Sequence, residues 1–240
     1  MLQSTPVVFV VDDDPSVRRS LELLIDSAGW QAETFSCGEA FLSCPRAPVP
    51  SCLVLDLDLP DLDGLEVQAR VAAERSDTPV IFLSGHGDVP ATVRAMKGGA
   101  MEFLTKPVAS EALVAAIAHA IERSAAILEH EEVLRSVRES EASLTRRERE
   151  VMALVVGGLL NKQIAAELDI SEITVKAHRG SMMRKMNADS LPHLVNMAAV
   201  LGIAPARRRR TAMDAMPRHA TAPATAAYRA TTSASPATRP

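Results

Sequence analysis

Five strand-like runs punctuate the first half of the chain: VVFVV (7–11), QAETF (31–35), CLVLD (52–56), VIFLS (80–84) and EFLT (102–105). Three of them are apolar on consecutive positions, as expected of parallel strands covered on both faces. Between the runs the spacing of apolar residues becomes helical, in PSVRRSLELLIDSAG, GEAFLSC, DGLEVQARVAAER and VPATVRAMKGGA. The first of these segments carries its own boundaries, with Asp14 placed as N-cap, Pro15 at the first helical position and Gly29 past the end. Five strand–helix units of this length predict an α/β sandwich, doubly wound with right-handed crossovers.

The pattern then changes. From Ser110 to about Ser143 there is no Pro or Gly, and Leu113, Ile117, Ile121, Ile127, Leu128, Leu134 and Val137 fall at mixed three-, four- and seven-residue spacings. The last helix of the α/β unit is therefore expected to run on as a helical linker. Ala120, Ile127 and Leu134 lie seven apart, which permits a short coiled-coil seam, though the repeat is too brief to prefer over a solvated linker. Residues 144–203 read as four helices. Thr145 with Glu148 forms a capping box, Gly157-Gly158 end the first helix, Asn161 and Ser171 stand as caps of the second and third, and 189–201 make the fourth. From Ala204 onward Ala, Thr, Pro, Ser and Arg predominate, a composition unable to bury enough surface to order itself. The expected division is an α/β domain over 1–122, a helical linker over 123–143, an all-α domain over 144–203 and a disordered basic tail over 204–240.

Charge agrees with that division. The formal net charge is −4, but residues 1–122 hold 8 basic and 18 acidic side chains, a balance of −10. Residues 144–203 hold 8 against 6, or +2, and residues 204–240 hold 7 against 1, or +6. A single globule rarely sorts charge so unevenly. Aromatic residues are only 3% of the chain against 47% hydrophobic overall, so the cores must be filled with aliphatic side chains. MLQSTPVVFVVDDD has no basic leader region and meets three aspartates, so no signal peptide is expected. No uninterrupted apolar stretch approaches the ~18 residues of a membrane span, and no membrane partner is expected. Cys37, Cys44 and Cys52 are odd in number and unpaired in spacing, which favours core packing over a metal or disulfide. The expected compartment is the cytoplasm.

Catalytic and binding groups of an open parallel sheet gather beyond the carboxyl ends of its strands. Asp12-Asp13 follow the first run, Asp56 the third, Ser84 ends the fourth and Lys106 follows the fifth. Crowded carboxylates repel one another and call for a cation. Oxygen-only ligands without an enclosing cage suit Mg²⁺, which keeps waters and leaves room for a phosphate. An aspartate beside Mg²⁺ can attack a phosphoryl group, with Lys106 and the Ser84 hydroxyl binding its oxygens. Two rivals fail on specifics. VLDLDLPDLDG (54–64) has Pro60 where a calcium loop needs a ligand and lacks the following Gly and closing Glu. A haloacid-dehalogenase-like phosphatase would carry its acidic metal pair after the nucleophile strand, and Leu59 stands where that motif has Thr or Val.

VVDDD, LDLDLPDLDGLE, LSGHGDVPATVRAMKGGAMEFLTKPV and the four-helix segment together resemble two-component response regulators of the NarL/FixJ type, over about residues 6–203. The resemblance implies a CheY-like (βα)5 receiver followed by a LuxR-type helix-turn-helix domain. It implies a phosphorylation-activated transcriptional regulator, not an enzyme. A sensor histidine kinase would phosphorylate Asp56; Asp13 would bind Mg²⁺ directly, Asp12 through water and Asp58 through its backbone carbonyl. Ser84 would move toward the phosphoryl group, Lys106 would pair with it, and Phe103 would follow inward as an aromatic switch, although on sequence alone an ordinary strand aromatic fits as well. His86 is read as a rim residue that tunes phosphate lifetime. The resemblance further implies a homodimer on phosphorylation, double-stranded DNA as ligand and RNA polymerase as a partner. A regulator of the same build that works without phosphorylation is the alternative.

For the DNA-binding half, a helix turning about 100° per residue puts Val175, Met182 and Met186 on one inward face. Ile173, Ala177, Gly180 and Arg184 point the opposite way, flanked by Thr174, Lys176 and Ser181, as a recognition helix faces the major groove. Lys176 is the main candidate for a base edge and Ala177 for a thymine methyl. Arg179, Arg184, Lys185 and Lys162 are placed for phosphates. Asp169 stands in the turn where the family usually has Gly, so that turn must tolerate an altered backbone. Gly180 within the helix costs ~1 kcal/mol relative to Ala. Arg207–Arg210 could add phosphate contacts, or the tail could be an extension without a task.

Overall fold

The computed structural model describes residues 5–45, 48–85 and 89–203. Strands β1 (Val7–Val11), β2 (Gln31–Phe35), β3 (Ser51–Leu55), β4 (Val80–Ser84) and β5 (Glu102–Thr105) alternate with α1 (Pro15–Ser27), α2 (Gly38–Leu42), α3 (Gly64–Glu74), α4 (Val89–Lys97) and α5 (Ser110–Ala142). The sheet is wholly parallel with the order β2-β1-β3-β4-β5. The three strands with every position buried are β1, β3 and β4, those with the most continuous apolar runs. Side-chain alternation then sorts them into two cores. Val8, Val10, Cys52, Val54, Ile81 and Leu83 pack against Leu21 and Ile25 of α1 and Leu113 and Ile117 of α5. On the opposite face Phe9, Leu53, Leu55 and Phe82 meet Phe41 of α2, Val67 and Val71 of α3, and Ala95 of α4. Each fully buried Leu or Ile contributes about 2 kcal/mol to holding these layers.

Helix boundaries follow local chemistry. Asp14 accepts from the Ser16 N–H at 2.7 Å and Pro15 opens α1. Asp63 accepts from the Leu65 N–H at 2.9 Å and caps α3. Gly64 is required at the start of α3: a Cβ there would lie 2.6 Å from the Asp56 carbonyl oxygen and 2.9 Å from Leu57 Cα. The helix thus enters against the backbone that carries Asp56.

The 33 residues of α5 extend for about 50 Å. Its first turns bury Leu113, Ile117, Ala120 and Ile121 on the sheet, and the Ser124 hydroxyl accepts from the Ser51 N–H at 3.0 Å. Near its end Val137 is buried in a different core, with Leu144, Val151 and Met152. Ala120 lies in the sheet core, so the seven-residue series Ala120, Ile127, Leu134 does not form one exposed seam.

That second core is enclosed by α6 (Arg146–Val156), α7 (Asn161–Leu168), α8 (Glu172–Lys185) and α9 (Leu191–Val200). Val175, Met182 and Met186 are fully buried, as the helical period of the sequence requires. Thr145 and Glu148 form the expected capping box on α6, and Ser171 caps α8. The α7 cap differs from expectation. Leu160 is the N-cap residue, and the Gln163 side chain accepts from its N–H at 2.9 Å. Asn161 is therefore the first helical residue, its side chain turned to another partner. Asp169 takes the left-handed conformation, φ 51° and ψ 51°. Asp tolerates that region better than most residues with a Cβ, so the turn closes without Gly. No helix among the described residues is long and apolar enough to cross a membrane.

Candidate functional site

The strand order brings the carboxyl ends of β1, β3 and β4 side by side. Asp12 and Asp13 leave β1, Asp56 is the first residue past β3, and Lys106 follows β5. One carboxylate oxygen from each of Asp12, Asp13 and Asp56 lies within 4.8 Å of the others. Asp12 and Asp56 are buried and Asp13 is exposed, so the cluster opens to water on one side. Lys106 Nζ donates to Asp12 Oδ2 at 2.7 Å and to Asp56 Oδ2 at 2.6 Å.

Burial pushes the Asp12 carboxyl above its ordinary range, partly offset by the hydrogen bond from Lys106. Burial alone would lower Lys106, but the bonds to Asp12 and Asp56 outweigh it and hold the ammonium above its ordinary value. Three carboxylates and one ammonium leave two negative charges, which a divalent cation matches. The all-oxygen donor set with one exposed member suits Mg²⁺ better than a softer metal. These residues fit such an ion.

Further contacts fix the pocket. Asp12 Oδ1 accepts from the Asp14 N–H at 2.9 Å, and the Arg18 guanidinium donates to the Asp12 carbonyl oxygen at 2.7 Å. Asp56 Oδ1 accepts from the Asp58 N–H at 3.3 Å. Ser84 is fully buried at the end of β4, its carbonyl accepting from the Lys106 N–H at 2.8 Å. The Lys106-Pro107 peptide is cis. Phe103 is half-buried and stacks on Phe82, ring centroids 5.9 Å apart. His86 lies outside the described residues.

The four aspartates of VLDLDLPDLDG separate by position. Asp56 is in the cluster, Asp58 is an exposed residue bridged to Asp63, and Asp63 caps α3. Asp61 has a role that its neighbours in sequence do not signal. Its carboxylate accepts from the N–H groups of Gly38 and Glu39 at 3.1 and 2.9 Å, capping α2 from 22 residues away. Burial opposes its ionisation, but these N–H groups prevail and hold its carboxyl below the ordinary range. Cys37, the residue preceding α2, makes no side-chain cap. The three cysteines are free, and burial pushes the Cys52 thiol up to about 12.

In the C-terminal domain α8 presents Ile173, Lys176, Ala177, Gly180 and Arg184 as exposed residues, with Thr174 and Ser181 half-buried at the edges. Lys162 is exposed on α7. The other two cations have internal partners. Arg179 donates to the Asn161 side chain at 3.2 Å, which ties α8 to α7. Lys185 is paired with Glu148 at 2.8 Å and donates to the Ser143 carbonyl at 3.3 Å. Glu148 is buried and its carboxyl is held at about 2, chiefly by Lys185, then by Ser181 and the Thr145 N–H. Both are therefore tied to the domain's own helices, Lys185 through an ion pair and Arg179 through a neutral amide, a distinction that helical spacing alone does not make. Arg207–Arg210 lie outside the described residues.

Residues 8–118 match the family described as Response regulator receiver domain, and residues 142–198 match Bacterial regulatory proteins, luxR family. The chain is 46% identical to Nodulation protein W of Bradyrhizobium diazoefficiens, over 82% of this chain and 87% of that protein. It is 41% identical to Transcriptional regulatory protein FixJ of the same species, over 82% of this chain and 96% of that one. The solved structure of response regulator StyR superposes with a TM-score of 0.76 at 45% identity, covering 82% of this chain and 99% of StyR.

Proposed function

Because the chain belongs to the NarL/FixJ family of two-component response regulators, we propose that Asp56 is the residue through which phosphorylation controls it. The protein is a phosphorylation-activated, DNA-binding transcriptional regulator. The observation that carries the assignment of Asp56 is its position. It is the carboxylate nearest the strand end that is at once bonded to Lys106, adjacent to Asp12 and Asp13, and set against the N-terminus of α3.

In the proposed reaction a carboxylate oxygen of Asp56 attacks the phosphorus of a kinase phosphohistidine. A P–O bond forms as the P–N bond breaks, and the imidazole leaves with the electron pair. Mg²⁺, held by Asp12, Asp13, Asp56 and the Asp58 carbonyl, would neutralise charge on the group in transfer. Lys106, already between Asp12 and Asp56, pairs with the new phosphoryl oxygens. Ser84 turns from its buried position to donate to them, and Phe103 moves toward the space that Ser84 leaves. That rearrangement remodels residues 93–104 and shifts the population toward a dimer-competent state. Two copies of α8 then meet paired half-sites. Lys176 reaches base edges, Lys162 and Arg184 neutralise phosphates, and Thr174, Ala177, Gly180 and Ser181 line the contact. Arg179 and Lys185 hold α8 in place. RNA polymerase is the partner through which the bound dimer acts, and the cytoplasm is the compartment.

Incubation with Mg²⁺ and acetyl phosphate tests this reading. One phosphoryl group per chain is expected, absent in Asp56→Asn and slower to form without Mg²⁺. Uptake by Asp56→Asn at the wild-type level, or no uptake at all, would refute it. In the same assay Asp58→Asn should change the decay rate of the phosphorylated form, since its carboxylate stands exposed two residues from the acceptor. An unchanged rate would remove Asp58 from the account.

A further inference from the structure

Ile173 is 80% exposed, more than any other large apolar side chain among the described residues. Scattered exposed hydrophobics are ordinary; its position is not. It is the second residue of α8, nine residues from Met182, which at about 100° per residue places it diametrically opposite that fully buried side chain. Ala177 follows one turn on, about 6 Å along the axis. Gly180 comes next, and a Cβ built there meets nothing within 4 Å. The centre of the outward face from the start of α8 to Gly180 is thus an uncharged strip of Ile173, Ala177 and Gly180; the exposed Lys176 flanks it, and the exposed Arg184 follows on the same line about one turn beyond Gly180. Lys176 reaches Glu172 at 4.0 Å.

Such a strip has charge complementarity for nucleic acid at its margins and no hydrogen-bonding group at its centre. The apolar group on the floor of the major groove is the thymine C5-methyl, and the first residues of a recognition helix reach deepest toward base edges. Resting on the DNA-binding reading above, we propose that Ile173 packs against a thymine methyl and selects an A·T pair at one position of each half-site. Ile173 is then a specificity-determining residue, and the protein's sequence preference rests on a methyl contact as well as on Lys176.

The test uses the full-length protein, phosphorylated with acetyl phosphate and Mg²⁺ and selected on a randomised duplex library. In the enriched duplex each thymine is replaced singly by deoxyuridine, which removes only the methyl. Wild type is expected to lose affinity about fourfold at one thymine per half-site, and Ile173→Ala to bind dT and dU duplexes equally. Equal binding of dT and dU by wild type, or the same loss in Ile173→Ala, overturns the inference while leaving DNA binding intact. Ile173→Ala that keeps the dT preference but fails in transcription also overturns it and assigns the residue to a protein partner. Failure to enrich any duplex overturns this inference and the DNA-binding reading together.

Discussion

The receiver pocket and the recognition face use charge in opposite ways. In the pocket Lys106 lies within hydrogen-bond distance of both Asp12 and Asp56, the two aspartates are buried, and the backbone around them leaves no slack at Gly64. On α8 the outward cations Lys176 and Arg184 are exposed, the central residues are small or apolar, and Gly180 has open space around it. The first region is organised before any ligand arrives, as a site that must place a nucleophile within ångströms requires. The second offers a surface whose partner supplies the complementary charge, so its energetics depend on salt and on the groove that it meets.

The two glycines sharpen this difference from its opposite ends. Gly64→Ala should destabilise the receiver by about 2 kcal/mol or more, because the new Cβ meets backbone that cannot swing aside, and should slow phosphoryl uptake. Denaturant unfolding followed at Trp30 and the acetyl phosphate assay check both. Wild-type behaviour in both would mean that the pocket is looser than its geometry indicates.

A smaller effect is expected where the C-terminal domain borrows the pocket's strategy. Glu148→Ala removes a buried carboxylate that pairs with Lys185 and completes the α6 capping box. A loss of about 2 kcal/mol is expected after allowance for the partial exposure of Lys185, read by hydrogen exchange in α6 and α8. The pH dependence has a definite sign. The folded carboxyl is held at about 2 against its ordinary 4.5, so its contribution is present above 4.5 and is lost as pH falls toward 2. Exchange protection in wild type should decline through that window, and Glu148→Ala should decline less steeply there.

Asp61→Ala tests whether the carboxylates near Asp56 differ in kind. A loss of about 1 kcal/mol is expected from the uncapped α2, with phosphoryl uptake unchanged; abolished uptake would place Asp61 in the reactive cluster. The smallest effect is a gain. Gly180→Ala should stabilise α8 by up to about 1 kcal/mol, with DNA affinity within twofold of wild type. A large loss of affinity would show that the groove comes closer to the helix than an added methyl allows.

What the chain disclosed in advance follows the same division. Strand-end residues were legible because a parallel sheet dictates where they converge, whatever surrounds them: Asp12, Asp56, Ser84 and Lys106 needed only the five runs and their order. Local caps were legible for a similar reason, since Asp14, Thr145 and Ser171 act on N–H groups within three residues. Contacts set by another element were not. Asp61 reads as a loop residue until α2 is seen beside it. Asn161 reads as a cap until Arg179 reaches it from α8, and Lys185 reads as a phosphate contact until Glu148 is found buried underneath. Helical periodicity shows which way a side chain leaves its own helix and is silent on what the neighbouring helix offers it.

The central claim is that one phosphoryl group on Asp56 controls DNA binding by a separate domain of the chain. It is tested most directly by the affinity of the full-length protein for a selected duplex at fixed salt, measured with and without acetyl phosphate in wild type and in Asp56→Asn. Phosphorylation is expected to tighten wild-type binding about tenfold or more and to leave Asp56→Asn unchanged. Equal affinity of phosphorylated and unphosphorylated wild type, or equal tightening in Asp56→Asn, would contradict the account.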